Sequence, residues 1–192
     1  KAGHDSWIKL KLNSLVDAKI IGKLYQASKA GVKISIICRG ICRLLPQRKG
    51  LSENITVISI VDKYLEHSRV YVFSNNGNPK FFTGSADWMV RNFDHRFEII
   101  CPIYDLQIQE ELSDMFDIQW SDNVKSRLVN LEPINQYRKT GAKKETRAQV
   151  AIYEHFLKII IPKIRVIFNL VKKYIKGKLS MVNLINYLEP FL

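Results

Sequence analysis

The residues from Trp7 to Cys38 constrain the fold more than any other stretch of this chain. Trp7-Ile-Lys-Leu-Lys-Leu12 alternates apolar and basic residues, the pattern of a strand with one face buried. Asn13 and Ser14 end it. From Leu15 to Ala30 the apolar residues Val16, Ile20, Leu24 and Ala27 recur at helical spacing, and Gly31 is placed to stop the helix. Val32-Lys-Ile-Ser-Ile-Ile-Cys38 is then a second strand, nearly all buried. Strand, helix and strand in this order make a right-handed βαβ unit with parallel strands. The rest of the chain must extend or cover that sheet, which sets the class as α/β, a mixed sheet flanked by helices.

Downstream, Arg43 to Asn54 is a polar, basic loop, and Ile55-Thr-Val-Ile-Ser-Ile-Val61 returns as a strand. Arg69 to Phe73 and Lys80 to Thr83 read as a hairpin joined through Asn75-Asn-Gly-Asn-Pro79. His95-Arg-Phe-Glu-Ile-Ile-Cys101 is expected to be another strand, closed by Pro102. Asp105 starts a helix running towards Trp120, with Leu106, Leu112 and Phe116 on its inner side. Val129 to Lys143 reads as a loop and Glu145 to Lys158 as a helix. A domain over residues 1–158 and a separate helical extension over 159–192 follow from this pattern. The extension is apolar but interrupted by Lys163, Arg165, Lys172 and Lys173, which argues against a membrane span. It suits packing on other domains, on another copy or on a membrane surface.

Chemistry concentrates in Tyr64-Leu-Glu-His-Ser-Arg-Val-Tyr-Val-Phe73 and in Thr83-Gly-Ser-Ala-Asp-Trp-Met-Val-Arg-Asn92. A lone His is more often structural than catalytic. His67, however, stands two residues before Arg69 at the mouth of a strand, where imidazole and guanidinium can address one phosphate. Gly84 and Ser85 on the partner strand can reach the same ligand. Ser85 is suited to cap a helical turn whose backbone N–H groups would attract an anion. Asp87 reads as a helix-start carboxylate before it reads as a partner of His67, and Trp88 and Met89 read as core. Arg39-Gly40 falls at the carboxyl end of the second strand, where ligands of open α/β sheets collect. There Arg39 can clamp phosphate oxygens, or simply pair with an acidic neighbour.

The net charge of +12 over 192 residues points to a polyanionic partner: nucleic acid, nucleotide phosphates, polyphosphate or an acidic membrane. Arg138, Lys139, Lys143, Lys144 and Arg147 form a basic run that is either a solvated face or a guide for such a chain. Cys38, Cys42 and Cys101 are too few for a disulfide framework and make a weak zinc site. Cys38 and Cys101 read as small core residues, and a reducing cytoplasm fits. The chain opens at Lys1-Ala-Gly-His4, almost directly on a strand, and reads as a piece of a longer protein.

Both blocks, together with Lys11-Leu-Asn-Ser-Leu-Val-Asp17, Arg39-Gly-Ile-Cys42, Leu51-Ser-Glu-Asn-Ile55, Ser59-Ile-Val-Asp62, Ser121-Asp122, Val124-Lys125 and Arg147-Ala-Gln-Val-Ala-Ile-Tyr153, resemble the C-terminal part of the bacterial polyphosphate kinase family. The resemblance implies a phospholipase D-like fold and reversible transfer of the ATP γ-phosphate to polyphosphate through a phosphohistidine. It implies that His67 is the second active-site histidine and acid for the leaving ADP. It also makes Arg39 a nucleotide contact at the family's spacing from that His, and Arg91 a further phosphate ligand beside Arg69. ATP and Mg²⁺ are the implied cofactors, with ATP, ADP and polyphosphate as partners in a homo-oligomer that takes no specific nucleic acid. The phosphorylated histidine and the magnesium ligands belong to an upstream domain, so no metal ligand is expected here and the 192 residues alone are expected to be inactive.

Two other classes remain. A phospholipase D-type nuclease could complete its site by dimerising, but it would want Lys where Arg69 stands and Asp where Ser74 stands. A non-catalytic polyanion-binding module would bind with steep salt dependence and be indifferent to His67.

Overall fold

The structure is a computed structural model that describes residues 5–130 and 135–188. The opening Lys1-Ala-Gly-His4, residues 131–134 of the expected loop and the last four residues of the tail lie outside the described residues. The chain separates into two compact units, Lys1–Gln149 and Val150–Leu192.

In the first unit β1 (Trp7–Leu12), α1 (Ala18–Lys29) and β2 (Lys33–Cys38) form the expected βαβ unit, with β1 and β2 parallel in register from Trp7 opposite Lys33 to Leu12 opposite Cys38. The Asp17 carboxylate caps α1 by accepting from the Ile20 N–H at 2.8 Å, and Gly31 closes it at φ 92°. β3 (Ile55–Ile60) adds parallel to β2. β4 (Val70–Phe73), β5 (Lys80–Gly84) and β6 (Ile100–Ile103) run antiparallel on the other side of β1, and β7 (Ser126–Leu128) pairs antiparallel with β3. The seven-stranded sheet has the order β6-β5-β4-β1-β2-β3-β7.

Both faces are covered, as a period of two requires when helices flank a sheet. Leu10, Leu12, Ile34, Ile36, Ile55 and Val57 face α1 and pack with Ile21 and Leu24. Ile37, Ile58 and Ile60 face the other way, against Phe116 of α3 (Leu106–Trp120) and Ala148. Each such fully buried aliphatic side chain contributes roughly 1.5–3 kcal/mol.

Several expectations shift. The strand expected over 95–101 is displaced to β6, with Pro102 inside it. An edge strand tolerates the missing N–H. Cys101 therefore lies exposed on that edge instead of in the core, and Leu106 at the start of α3 is 78% exposed. Residues 85–89 are not a helical turn. The short helix α2 is Val90–Asp94 and follows Met89, so Ser85 caps nothing.

α4 spans Ala148–Ile175 without a break, Pro162 included, so the expected helix and the extension share one element. In the second unit it is followed by α5 (Met181–Leu188). Among the described residues no helix is long and apolar enough to cross a membrane.

Candidate functional site

The carboxyl ends of β1, β2 and β3 bring Asn13, Arg39 and residues 61–69 to one edge of the sheet, and the start of β4 and the end of β5 reach the same edge. Arg39 follows β2 directly. Its neighbour Gly40 is required there, because a Cβ would come within 2.8 Å of the Asn13 carbonyl oxygen. Gly84 serves the same purpose at the end of β5, where a Cβ would lie 2.4 Å from the Ile99 carbonyl oxygen.

His67 sits in the irregular segment between β3 and β4. Its Nδ1 lies 3.3 Å from Nη2 of Arg39. A guanidinium only donates, so Nδ1 is the acceptor and the imidazole is neutral with its proton on Nε2. Partial loss of hydration, then the Arg69 and Arg39 charges, hold the His67 pKa below its usual 6.5, while Asp87 opposes them.

Arg69 is differently placed from the free phosphate fork expected of it. Its Nε and Nη2 donate to the two Asp87 oxygens at 3.3 and 3.0 Å, and its Nη1 donates to the His67 carbonyl at 3.1 Å. Asp87 in turn accepts from the Asn13 and Ser14 N–H groups at 2.8 and 3.1 Å. Asp87 is thus neither a helix cap nor a partner of the imidazole: it ties the end of β1 to Arg69. Burial raises its pKa and the Arg69 fork with the two N–H donors outweighs that, leaving it low.

His67, Arg69 and Arg91 line one open cleft of about 750 Å³, together with Ser85, His95 and Glu98. The Ser85 hydroxyl donates to Glu98, which also takes the Asn92 amide at 2.6 Å. Those two bonds hold the Glu98 carboxyl below its usual range. Ser85 therefore stands in the cleft wall with its hydroxyl proton already engaged.

The base of the His67 segment is fixed by two contacts with residues 147–149. Arg147 forks Asp62 at 2.8 and 2.6 Å, and Gln149 exchanges two bonds with the Tyr64 backbone, at 3.0 and 2.8 Å. Asp122, 0% exposed, accepts from the N–H groups of Val124, Lys125, Ser126 and Ala148, so it starts both β7 and α4.

A family model described as polyphosphate kinase C-terminal domain 2 matches residues 1–149, the extent of the first compact unit. The chain belongs to the polyphosphate kinase family. Polyphosphate kinase of Vibrio cholerae is 50% identical over 155 residues, 81% of this chain and 22% of the relative. That of Escherichia coli is 46% identical over 153 residues, 80% of this chain and 22% of the relative. The chain thus spans about a fifth of the length of the curated relatives it matches. The crystal structure of polyphosphate kinase from Porphyromonas gingivalis superposes with a TM-score of 0.77 at 43% identity, covering 80% of this chain and 24% of that one. Nuc of Salmonella typhimurium, a phospholipase D family member, matches at a TM-score of 0.50 and 16% identity over 67% of this chain and 84% of its own, which shows the shared fold alone. The polyphosphate kinase fold of this chain is therefore phospholipase D-like, as the sequence implied.

Residue chemistry pointed to His67, Arg69 and Arg39, and the polyphosphate kinase resemblance supported them and added Arg91; the structure brings His67, Arg69 and Arg91 into one cleft, while Arg39 touches His67 without lining it. Residue reasoning passed over Lys11. Alternation in β1 marked Lys9 and Lys11 as the wet face, but α3 covers that face: Lys9 bonds Asp117 at 2.6 Å and Lys11 is only 6% exposed. The available signal was the βαβ pattern itself, which predicts helices on both faces and hence no wet face for β1.

Proposed function

We propose that this chain is the part of an ATP–polyphosphate phosphotransferase that receives the nucleotide's phosphates, with His67 as the proton donor for the leaving group. The observation that carries the reading is the Arg39–His67 contact at the carboxyl ends of the three parallel strands, where ligands of such sheets collect. An arriving phosphate offers Arg39 a charge-assisted, bidentate partner better than a neutral imidazole nitrogen. The same negative charge raises the His67 pKa, so the imidazole takes up a proton as the ligand binds. In the transfer, the bond between the γ-phosphorus and the β–γ bridging oxygen breaks as a bond to the upstream histidine nitrogen forms. His67 then protonates the departing ADP oxygen. Arg39 and Arg91 meet charge on the phosphates, and Arg69, anchored by Asp87, fixes the His67 backbone.

Among the described residues no group of three or more His, Cys, Asp or Glu side chains could hold a metal ion. These side chains do not by themselves form a resident Mg²⁺ site.

Calorimetry of ATP binding to the chain tests the reading. Micromolar to millimolar affinity that falls with salt is expected, weakened on the order of tenfold in Arg39→Ala, the loss of one charge-assisted contact. Binding indifferent to Arg39 would overturn it.

For the second unit we infer an anionic membrane surface as partner. Val150, Tyr153, Ile160, Ile164, Phe168 and Ile175 recur at helical spacing along α4 and are all exposed. Seven Lys and Arg residues stand in 150–192 against two acidic ones, a charge that would repel a second copy and attract acidic lipid.

A further inference from the structure

The segment that carries His67, residues 61–69, has no regular secondary structure, so the direction of the imidazole depends on tethers. Gln149 and Arg147 fix its first half. The second half is held from beneath by β1. Lys11 rises from the middle of the sheet between Leu10 and Leu12, and its Nζ donates to the Ser68 carbonyl at 3.2 Å and pairs with the Glu66 carboxylate at 3.7 Å. Those are the residues on either side of His67. The Lys11 side chain is 7% exposed, against 29% for Glu66.

A buried ammonium with one partial ion pair and one carbonyl is a costly occupant of a strand interior, where the cross-strand neighbours are Ile37 and Val70. Burial, followed by the charges of Arg39 and Arg69, drives its pKa down from 10.5, and Glu66 only partly opposes this. Lys11, Arg39, Glu66 and Gln119 line a cavity of about 10 Å³ beneath the segment, and Lys11 and Ser68 border a second of about 60 Å³ beside α3, so the ammonium's two contacts, not close packing, hold this part of the segment. Lys11 is therefore not a packing residue that happens to be charged. It is the only tether among the described contacts that reaches both residues flanking the imidazole.

We propose that Lys11 is a positioning residue for the phosphoryl transfer, its ammonium binding Glu66 and Ser68 together so that the imidazole between them meets Arg39 and the incoming phosphate in one orientation. This rests on the reading of His67 as a reacting group. A bare carbon chain at position 11 would fill the space and leave the Glu66 carboxylate and the Ser68 carbonyl without their common donor.

The test is NMR of the 192-residue chain, free and with ATP, comparing wild type, Lys11→Met, Lys11→Arg and Glu66→Gln. In Lys11→Met with β1–β3 amide shifts retained, backbone order at residues 66–68 is expected to fall from about 0.85 to below about 0.6. His67 should titrate at higher pH, since one of the cations facing it (with Arg39 and Arg69, against Asp87) is gone. ATP affinity should weaken on the order of tenfold through misplacement of the contact. Lys11→Arg should restore most of the order and the affinity. Unchanged order at 66–68 and an unchanged His67 titration in folded Lys11→Met would overturn the proposal. Should that variant not fold, Glu66→Gln decides, because its partly exposed side chain can change without loss of core; unchanged order there overturns the proposal too. The order parameters are read without substrate, so loosening of 66–68 in a chain that never binds ATP would refute the phosphotransfer reading and leave the tether standing.

Discussion

At the scale of single residues, the proposed role of His67 requires a neutral imidazole that becomes charged when phosphate arrives. The free imidazole titrates below 6.5 because it is partly desolvated and faces Arg69, Arg39 and Lys11 with only Asp87 in opposition. Bound phosphate reverses that balance and raises the pKa. Between the two values binding takes up a proton, so ATP affinity should strengthen as pH falls through the bound-state pKa and level off below the free-state one. His67→Ala should flatten that part of the profile and leave only the nucleotide's own titration. Calorimetry in buffers of different ionisation enthalpy measures the proton directly. His67 and Arg39 were legible from their places at strand ends, next to Arg69 and Gly40, and their spacing also matched a family pattern. Sequence reasoning could not tell that Arg69 is spent on Asp87, since Asp87 is distant in sequence and residues 85–89 carried the signature of a helix start. Nor could it find Lys11, whose burial depends on α3 lying over a strand that by itself looks half wet.

At the scale of elements, the parallel core was legible because its signals are local: alternation in β1, helical spacing with a stop glycine in α1, and continuous apolar runs in β2 and β3. The antiparallel edge was less so. β6 lies later than its apolar pattern suggested because Gly84 lets Ile99 and Ile100 approach the end of β5 closely, a long-range fit that no window of sequence contains. β7 and the start of α4 depend on Asp122, which gathers four backbone N–H groups from two separate stretches, 124–126 and Ala148. Asp122→Ala would leave those donors buried and unpaired, at about 1–3 kcal/mol for each that finds no water. A loss of at least about 3 kcal/mol in denaturant unfolding is expected, against well under 1 kcal/mol for an exposed control such as Lys49→Ala. Equal stability of the two variants would show that Asp122 does not organise this corner.

At the scale of the whole molecule, the polyphosphate kinase domain ends where the first compact unit ends, and the second unit has its own chemistry. Its exposed apolar stripe and basic residues should bring the chain down with phosphatidylglycerol vesicles but not with phosphatidylcholine vesicles. Binding should fall as salt rises over the range where the Debye length shrinks from about 30 to 8 Å. A change of Lys172 and Lys173 to Glu should abolish it. Sedimentation of an intact dimer without lipid affinity would instead assign the stripe to a second copy.

The central claim, that His67 and Arg39 are reacting-site residues of a phosphotransferase, is tested most directly in a chimera. Residues 5–149 would replace the 43% identical domain of the Porphyromonas gingivalis polyphosphate kinase, with which they superpose. The chimera is expected to make labelled polyphosphate from γ-labelled ATP, to lose on the order of 100-fold or more in rate with His67→Ala, the worth of a general acid, and to lose tens-fold with Arg39→Ala. A chimera that turns over equally well without His67 would contradict the account.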